Sequence, residues 1–324
     1  MKNRTCMHLF ALVMALCAGV ASAQSYPNRP VTLIWPFAAG SGVDAAARAL
    51  ASAVSKRLGQ TVIVENRAGA NGMIGFNALQ KAPKDGYTIL MATSGMLAQL
   101  PLISKRYTQE PVKDYAPISF LFSQQLVIGA NPSVPFRDLG GLIDFAKKNP
   151  GALNVATSGT AATTTFAAFL LAYKAGVQFT MVPYKGVAEA TPDLLTNRVQ
   201  VQVMGPQLKE MADTGKLVPI AVTGRTRWRQ FPDTPTMLEA GLPDSFVDIS
   251  LILLAPAGTP SPVIALLHST FTVALQDPLV KVALNAMSSD TIGGSPEEAT
   301  AQILAEQKYW APIIRAAGIK AEGE

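Results

Sequence analysis

Val31-Thr32-Leu33-Ile34-Trp35, then Pro36-Phe37-Ala38-Ala39-Gly40-Ser41-Gly42-Val43-Asp44, then a helical pattern over 44–58 and Thr61-Val62-Ile63-Val64-Glu65 decide the fold. Each apolar, β-branched run of five reads as a buried strand, and the small residues between strand and helix read as a turn. Strand, helix and strand at this spacing predict a parallel sheet with helices on both faces. A Gly/Asn-rich turn, a helix near 73–81 and a strand at 87–92, entered through Asp85-Gly86, extend the pattern.

A second series is expected after the Pro-containing stretch 111–117. It has strands at 125–130, 154–157, 180–182, 200–204 and 218–222, with helices at 139–148, 163–175 and 187–196 between them. The apolar run 249–255 is placed back in the first sheet. From Pro262 onward only helices are expected (262–275, 278–287 and 296–317), each with Pro in its first turn, where the missing N–H costs nothing. The resulting architecture is two α/β lobes, each a mainly parallel sheet flanked by helices. Lobe 1 comprises 24–125 plus 250–324 and lobe 2 comprises 126–249, with crossings near 120–130 and 225–250 as a hinge. Ligands in such sheets bind beyond the carboxyl ends of the strands.

The chain has 324 residues, 49% hydrophobic and 15% charged, which suits about two packed domains. Residues 1–23 read as a cleaved export signal: Lys2 and Arg4, an uncharged apolar stretch over 7–20, then Ala21-Ser22-Ala23. Removing them takes both cysteines, Cys6 and Cys17, and His8, leaving His268 as the sole histidine. Two of the 27 basic residues leave and none of the 22 acids, so the formal charge falls from +5 to +3. Thiol catalysis, disulfides and Cys/His zinc sites are thereby excluded, and so weak a charge excludes a nucleic-acid footprint.

The loop from Pro36 to Asp44 presents small residues at a helix start, where orphan N–H groups and the helix dipole both favour an anion. Gly40–Ala45 also fits G-x-G-x-x-A with Glu65 about 20 residues on, so an exported NAD-type oxidoreductase is the enzyme alternative. Four residues between the strand and its first glycine speak against it, as does export from the nicotinamide pool. A plain glycine turn that starts a helix is the bland alternative. The loop Thr157-Ser158-Gly159-Thr160-Ala161-Ala162-Thr163 repeats the arrangement in the second series, although Ser and Thr are also ordinary helix caps. No G-x-S-x-G surrounds Ser94 or Ser158, and His268 sits on an apolar helix, so a serine hydrolase is not supported. Arg225, Arg227, Trp228 and Arg229 read as a solvated connector or docking surface, and Met91, Met96 and Met204 as core or cleft lining.

Further pieces recur in a fixed order over nearly all of the chain after the signal. They are Tyr26-Pro27-x-x-Pro30, Pro36-Phe37-Ala38-x-Gly40-x-Gly42-x-Asp44, Val64-Glu65-Asn66-Arg67-x-Gly69-Ala70 and Asp85-Gly86-Tyr87-Thr88. Asp114-x-x-Pro117-Ile118-Ser119, Ser158-Gly159, Val182-Pro183-Tyr184-Lys185-Gly186, Gly215-Lys216-Leu217 and Leu254-Ala255-Pro256-Ala257-Gly258-Thr259-Pro260 follow. Together they resemble the solute receptors of tripartite tricarboxylate transporters, the Bug family. That resemblance implies a periplasmic, two-lobed binding protein with no catalysis, no cofactor and no metal.

It also implies a carboxylate held by backbone amides of two loops. Carried over, these are Phe37, Ala38, Gly40, Ser41 and Gly42 on one side, facing Ser158, Gly159, Thr160 and Thr163. Asp44, Ser94, Tyr184, Met204 and Gln207 complete the candidate set. The implied partners are a small carboxylate and the membrane subunits of the transporter, with the receptor a monomer; a sensor kinase in place of the permease is a further alternative. The family often carries an Asp near Val203, where this chain has Val203-Met204-Gly205-Pro206-Gln207 and is one residue shorter. An ammonium buried without a carboxylate costs several kcal/mol. The expected ligand therefore lacks an amino group, unless Asp44, Glu189 or Asp193 supplies the charge.

Overall fold

The structure is a computed structural model that describes residues 26–105, 107–158, 162–184, 186–317 and 319. The expected export signal lies outside the described residues, as do Gly159 and Thr160.

The strands are β1 (Val31–Trp35), β2 (Val62–Asn66), β3 (Thr88–Thr93), β4 (Tyr115–Gln124), β5 (Val127–Ala130) and β6 (Asn154–Ser158). They continue with β7 (Thr180–Tyr184), β8 (Val201–Met204), β9 (Val218–Val222), β10 (Ile249–Pro256) and β11 (Asp290–Gly294). The main helices are α1 (Gly42–Leu58), α2 (Met73–Gln80), α3 (Leu139–Lys148), α4 (Thr163–Ala175) and α5 (Val187–Leu195). After them come α6 (Leu208–Asp213), α7 (Ser261–Ala274), α8 (Pro278–Ala286) and α9 (Pro296–Ala317).

Local chemistry sets the ends of α1. Ser41 caps it by accepting from the Asp44 amide, and Gly59 closes it in the left-handed conformation that glycine adopts without strain.

Two sheets result, ordered β11-β4-β10-β3-β1-β2 and β7-β6-β8-β5-β9. Both are mixed, which corrects the expectation of mainly parallel sheets. Only β1–β2 and β1–β3 pair in parallel in the first, and only β6–β7 and β6–β8 in the second. β10 returns to the first sheet as expected, but it runs antiparallel between β3 and β4. Two strands fall where none was expected: β4, across the Pro117 stretch, and the edge strand β11, within the supposedly all-helical end.

Alternation along β1 divides the first core. Leu33 and Trp35 face α1, α7 and α8, whereas Ile34 faces α2 and the start of α9 through Phe76, Leu79, Ala299 and Ile303. The second sheet packs α3 and α4 on one face and α5 and α6 on the other. The far end of α9 joins that second core through Trp310, Ile313 and Ile314, so a single helix is anchored in both.

The registers orient the two sheets. Thr93 pairs with Leu251 and Gln124 with Ile249, so the carboxyl ends of β1, β2 and β3 lie where the chain leaves and re-enters the first sheet. Val127 pairs with both Met204 and Val222, so the carboxyl end of β8, and of β6 beside it, lies at the corresponding end of the second sheet. The carboxyl ends of both parallel sets therefore meet at the crossings.

Candidate functional site

The loop after β1 is organised from within. The Asp44 carboxylate, buried at 4% exposure, accepts from the Gly40 amide at 3.1 Å and the Asn66 amide group at 2.9 Å. It also accepts from Arg48 Nε at 3.1 Å and Nη2 at 3.2 Å. Asn66 donates in addition to the Phe37 carbonyl at 3.1 Å, closing the loop from the β2 side. Burial alone would raise the Asp44 carboxyl, but the bonds from Asn66, Arg48 and Gly40 hold it below the ordinary carboxylate range.

Asp44 is thus a positioning residue whose oxygens are already occupied. The Gly40 N–H, expected to face a ligand, donates to Asp44 instead, at a backbone φ of 95° that favours glycine. Phe37 packs on Trp35 with ring centroids 4.8 Å apart, and residues 38–42 are exposed.

The loops after β2 and β3 close on the first. A Cβ at Gly72 would lie 1.8 Å from the Met96 methyl and 3.5 Å from Pro36, so all three strand-end segments are in contact there. Met96 is core, at 2% exposure. Ser94, expected at the ligand, is turned elsewhere: its Oγ donates to the Asp248 carbonyl and accepts from the Ser250 amide. It is buried between β10 and α9 because these are the elements that cover the end of β3.

On the opposite side Ser158 ends β6 level with Tyr184 on β7. The cap of α4 is Ala162, which has no side-chain acceptor to offer. Thr163 opens that helix and is buried, and the Thr164 hydroxyl beside it is buried without a partner.

Tyr184 donates to Asp193 at 2.7 Å, a bond that raises its own pKa, and Asp193 also pairs with Arg198. Asp193, like Asp44, is therefore already engaged by partners within the chain. Met204 is wholly buried among Val127, Ala156 and Val222, which corrects its placement at the ligand. Gln207 is exposed where α6 begins.

One line of contacts joins the two sides. A Cβ at Gly42 would lie 2.8 Å from Met287, whose carbonyl accepts from Gln124 Nε2 at 3.2 Å. The same Gln124 nitrogen lies 3.5 Å from the Cβ position of Gly205, and Gln207 Oε1 lies 2.7 Å from it. Met287, Gln124 and Asn66 were not anticipated. Asn66 alone left a signal, standing inside the quoted Glu65-Asn66-Arg67 run.

Trp228 is likewise no solvated connector residue: it is 1% exposed and its indole donates to the Ser288 carbonyl at 2.8 Å, while Arg229 reaches Asn285. Glu65, the acid of the dinucleotide alternative, accepts from two Arg67 nitrogens at 2.7 and 3.0 Å. His268 lies half-buried on α7 beside Thr272, away from these loops.

A cavity of about 300 Å³ opens beside the crossings, lined among others by Ser123, Arg225, Asp248, Gln302, Glu306 and Tyr309. Burial pushes the Asp248 and Glu306 carboxyls up to about 7.

Residues 46–319 match the family model of the tripartite tricarboxylate transporter family receptor. Protein BugT of Bordetella pertussis (strain Tohama I) is 33% identical over 312 residues, covering 94% of this chain and 94% of that protein. The periplasmic binding protein BugD superposes with a TM-score of 0.79 at 32% identity, over 92% of this chain and all of that one. Rpa4515 of R. palustris, solved with adipate, superposes with a TM-score of 0.81 at 31% identity, over 91% of this chain and 99% of that one. With its two mixed sheets, joined at the carboxyl ends of their parallel strands, this chain belongs to the tripartite tricarboxylate transporter receptors, the Bug family of periplasmic solute-binding proteins.

Proposed function

We propose that the protein captures a small organic carboxylate without an amino group, between the loop at 37–42 and the loop at 158–163. It then delivers the ligand, as a monomer, to the membrane subunits of a tripartite tricarboxylate transporter. In this proposal residues 1–23 are removed on export, and the units that close on the ligand are 24–125 with 250–324 and 126–249. The observation that carries it is the meeting of the two sets of carboxyl strand ends at the crossings, each set followed by a turn into a helix start.

Magnitude favours grip from both sides. Micromolar affinity needs about 8 kcal/mol, and a hydrogen bond to a charged group contributes roughly 1.5–3 kcal/mol net. One loop, with its Gly40 amide already engaged, falls short once the entropy of binding is charged, whereas two loops that exclude water suffice.

The absence of an amino group rests on the acids. Of the three acids named for that role, Asp44 and Asp193 are engaged by Arg48, Asn66, Tyr184 and Arg198, which leaves Glu189 as the one to test by substitution, and 203–207 contains no acid. Adipate, the molecule in the Rpa4515 structure, is a dicarboxylate of the proposed kind.

Calorimetry and thermal shift with adipate, succinate and malate against aspartate and glutamate test this. Stabilisation by the plain dicarboxylates is expected, since a ligand bound only by the native state raises its melting point. Tight aspartate or glutamate binding with no response to the dicarboxylates rejects it.

A further inference from the structure

The cavity beside the crossings lies apart from the loops at 37–42 and 158–163 and meets the end of β3 through Ser94, which is bonded to Asp248 and Ser250. Ser123 and Gln124 are neighbours on β4 and point to opposite faces. Gln124 reaches Met287 next to Gly42, while Ser123 lines the cavity. In the sheet, β10 and β3 stand between β4 and β1. The cavity therefore lies behind the crossings, on the side covered by α9.

Its two acids come from elements that any movement between the sheets must carry past one another. Asp248 is on the returning crossing, just before β10, and Glu306 is on α9, the helix anchored in both cores. Asp248 Oδ1 is buried with no hydrogen-bond partner. Glu306 accepts from Gln302 Nε2 at 2.8 Å, and the hydroxyls of Ser94 and Ser250 beside it partly offset the effect of its burial.

The charges facing the pair come from every side of the cavity. Asp290 on β11 opposes ionisation of Asp248, and Asp248 that of Glu306, while Arg225, stacked 3.4 Å above the Phe246 ring, favours ionisation of Asp248. Tyr309 on α9 is occupied by the Asp244 carbonyl. Two like charges in a poorly solvated space do not both ionise at low cost.

We propose that Asp248 and Glu306 form a latch behind the crossings: with both acids neutral the returning crossing and α9 stay packed over the cavity they line, and with both ionised the two like charges drive these elements apart. The sign follows from linkage. These carboxyls hold protons more tightly folded than unfolded. The stabilisation is therefore complete below the unfolded carboxyl range near pH 4 and is lost as pH rises through about 7.

The test uses the full chain with no ligand added, so it stands apart from the proposed carboxylate function. Melting temperature and hydrogen exchange, corrected for its intrinsic pH dependence, are followed from pH 5.5 to 8.5 for the parent, Glu306→Gln, Asp248→Asn and the double variant. In the parent, the melting temperature is expected to fall by several degrees. Protection over 246–250 and 302–310 should drop about tenfold, the equivalent of one pKa unit. Either single variant should show a clearly smaller fall than the parent, since burial still raises the remaining carboxyl, the double variant should hold both nearly level, and all three should exceed the parent at the alkaline end. A level profile in the parent overturns the proposal, as does a fall in the double variant as large as the parent's. Should a variant not fold, the infrared band of a protonated carboxyl in the parent decides: it is expected at pH 6.5 and lost at 8.5, and its absence at pH 6.5 overturns the latch.

Discussion

Replacing Asp44 by Asn tests whether the first loop is organised from inside. The amide keeps the shape but swaps one acceptor oxygen for a donor, which must then face the Gly40 N–H, Arg48 or Asn66. Hydrogen bonds to a charged group contribute roughly 1.5–3 kcal/mol each, and breaking a buried pair costs about 3–5 kcal/mol. The Arg48 side chain is 49% exposed, so solvent takes back part of that ion pair. We expect a loss of about 2–4 kcal/mol at pH 7, read as a lower urea midpoint with an unchanged slope.

Because the folded carboxyl is held below its ordinary range, its contribution is present above the unfolded pKa, near 3.9, and disappears as pH falls through the lower folded value. The gap between parent and variant should therefore close in acid. Affinity for adipate should fall at least about tenfold, since the loop loses the tie that holds its turn. A variant within 0.5 kcal/mol of the parent at pH 7 (roughly the size of a neutral surface substitution), or a gap unchanged in acid, refutes this account of the loop.

Gly72→Val places a side chain 1.8 Å from the Met96 methyl at a φ of 89°, and should cost about 3 kcal/mol or more in chemical denaturation. Gly40→Val with Gly42→Leu should abolish adipate binding by calorimetry while far-ultraviolet circular dichroism stays native; unchanged affinity removes this loop from the site. Trp228→Phe loses the bond to the Ser288 carbonyl and should lower stability by about 1–2 kcal/mol in urea unfolding. Tyr184→Phe should change little, because Asp193 keeps Arg198 as a partner, and a large loss of adipate affinity would show that this hydroxyl reaches the ligand.

Much of the fold was legible because burial leaves a pattern. β1, α3, α4 and β9 fall on their expected residues, each an apolar run or a stripe bounded by Gly, Pro or a capping side chain. β4 was hidden by Pro117, which argues against an interior strand. The structure tolerates it beside the register shift between Leu253 and Leu254, where the ladder is already irregular. β11 carries Gly293 and Gly294 and pairs only with β4, so its sequence shows no alternation. Strand direction was misjudged for a different reason: a wholly apolar run such as β10 suits a central strand of either sense.

Within the site, the helix starts and their glycines could be read, because they are local. That Ser94 turns toward the returning crossing depends on Asp248, far along the chain, and that Met204 is core depends on Val127, Ala156 and Val222 from three other strands, which no local pattern encodes.

The order of strands in the first sheet also has a consequence for biogenesis. β10, whose neighbours are β3 and β4, is made some 150 residues after β3, so the amino-terminal third has no middle to close upon until most of the chain exists. Pairings so distant in sequence form slowly. In a member of a family of periplasmic binding proteins, the late-arriving strand thus delays completion of the first sheet until most of the polypeptide has been made.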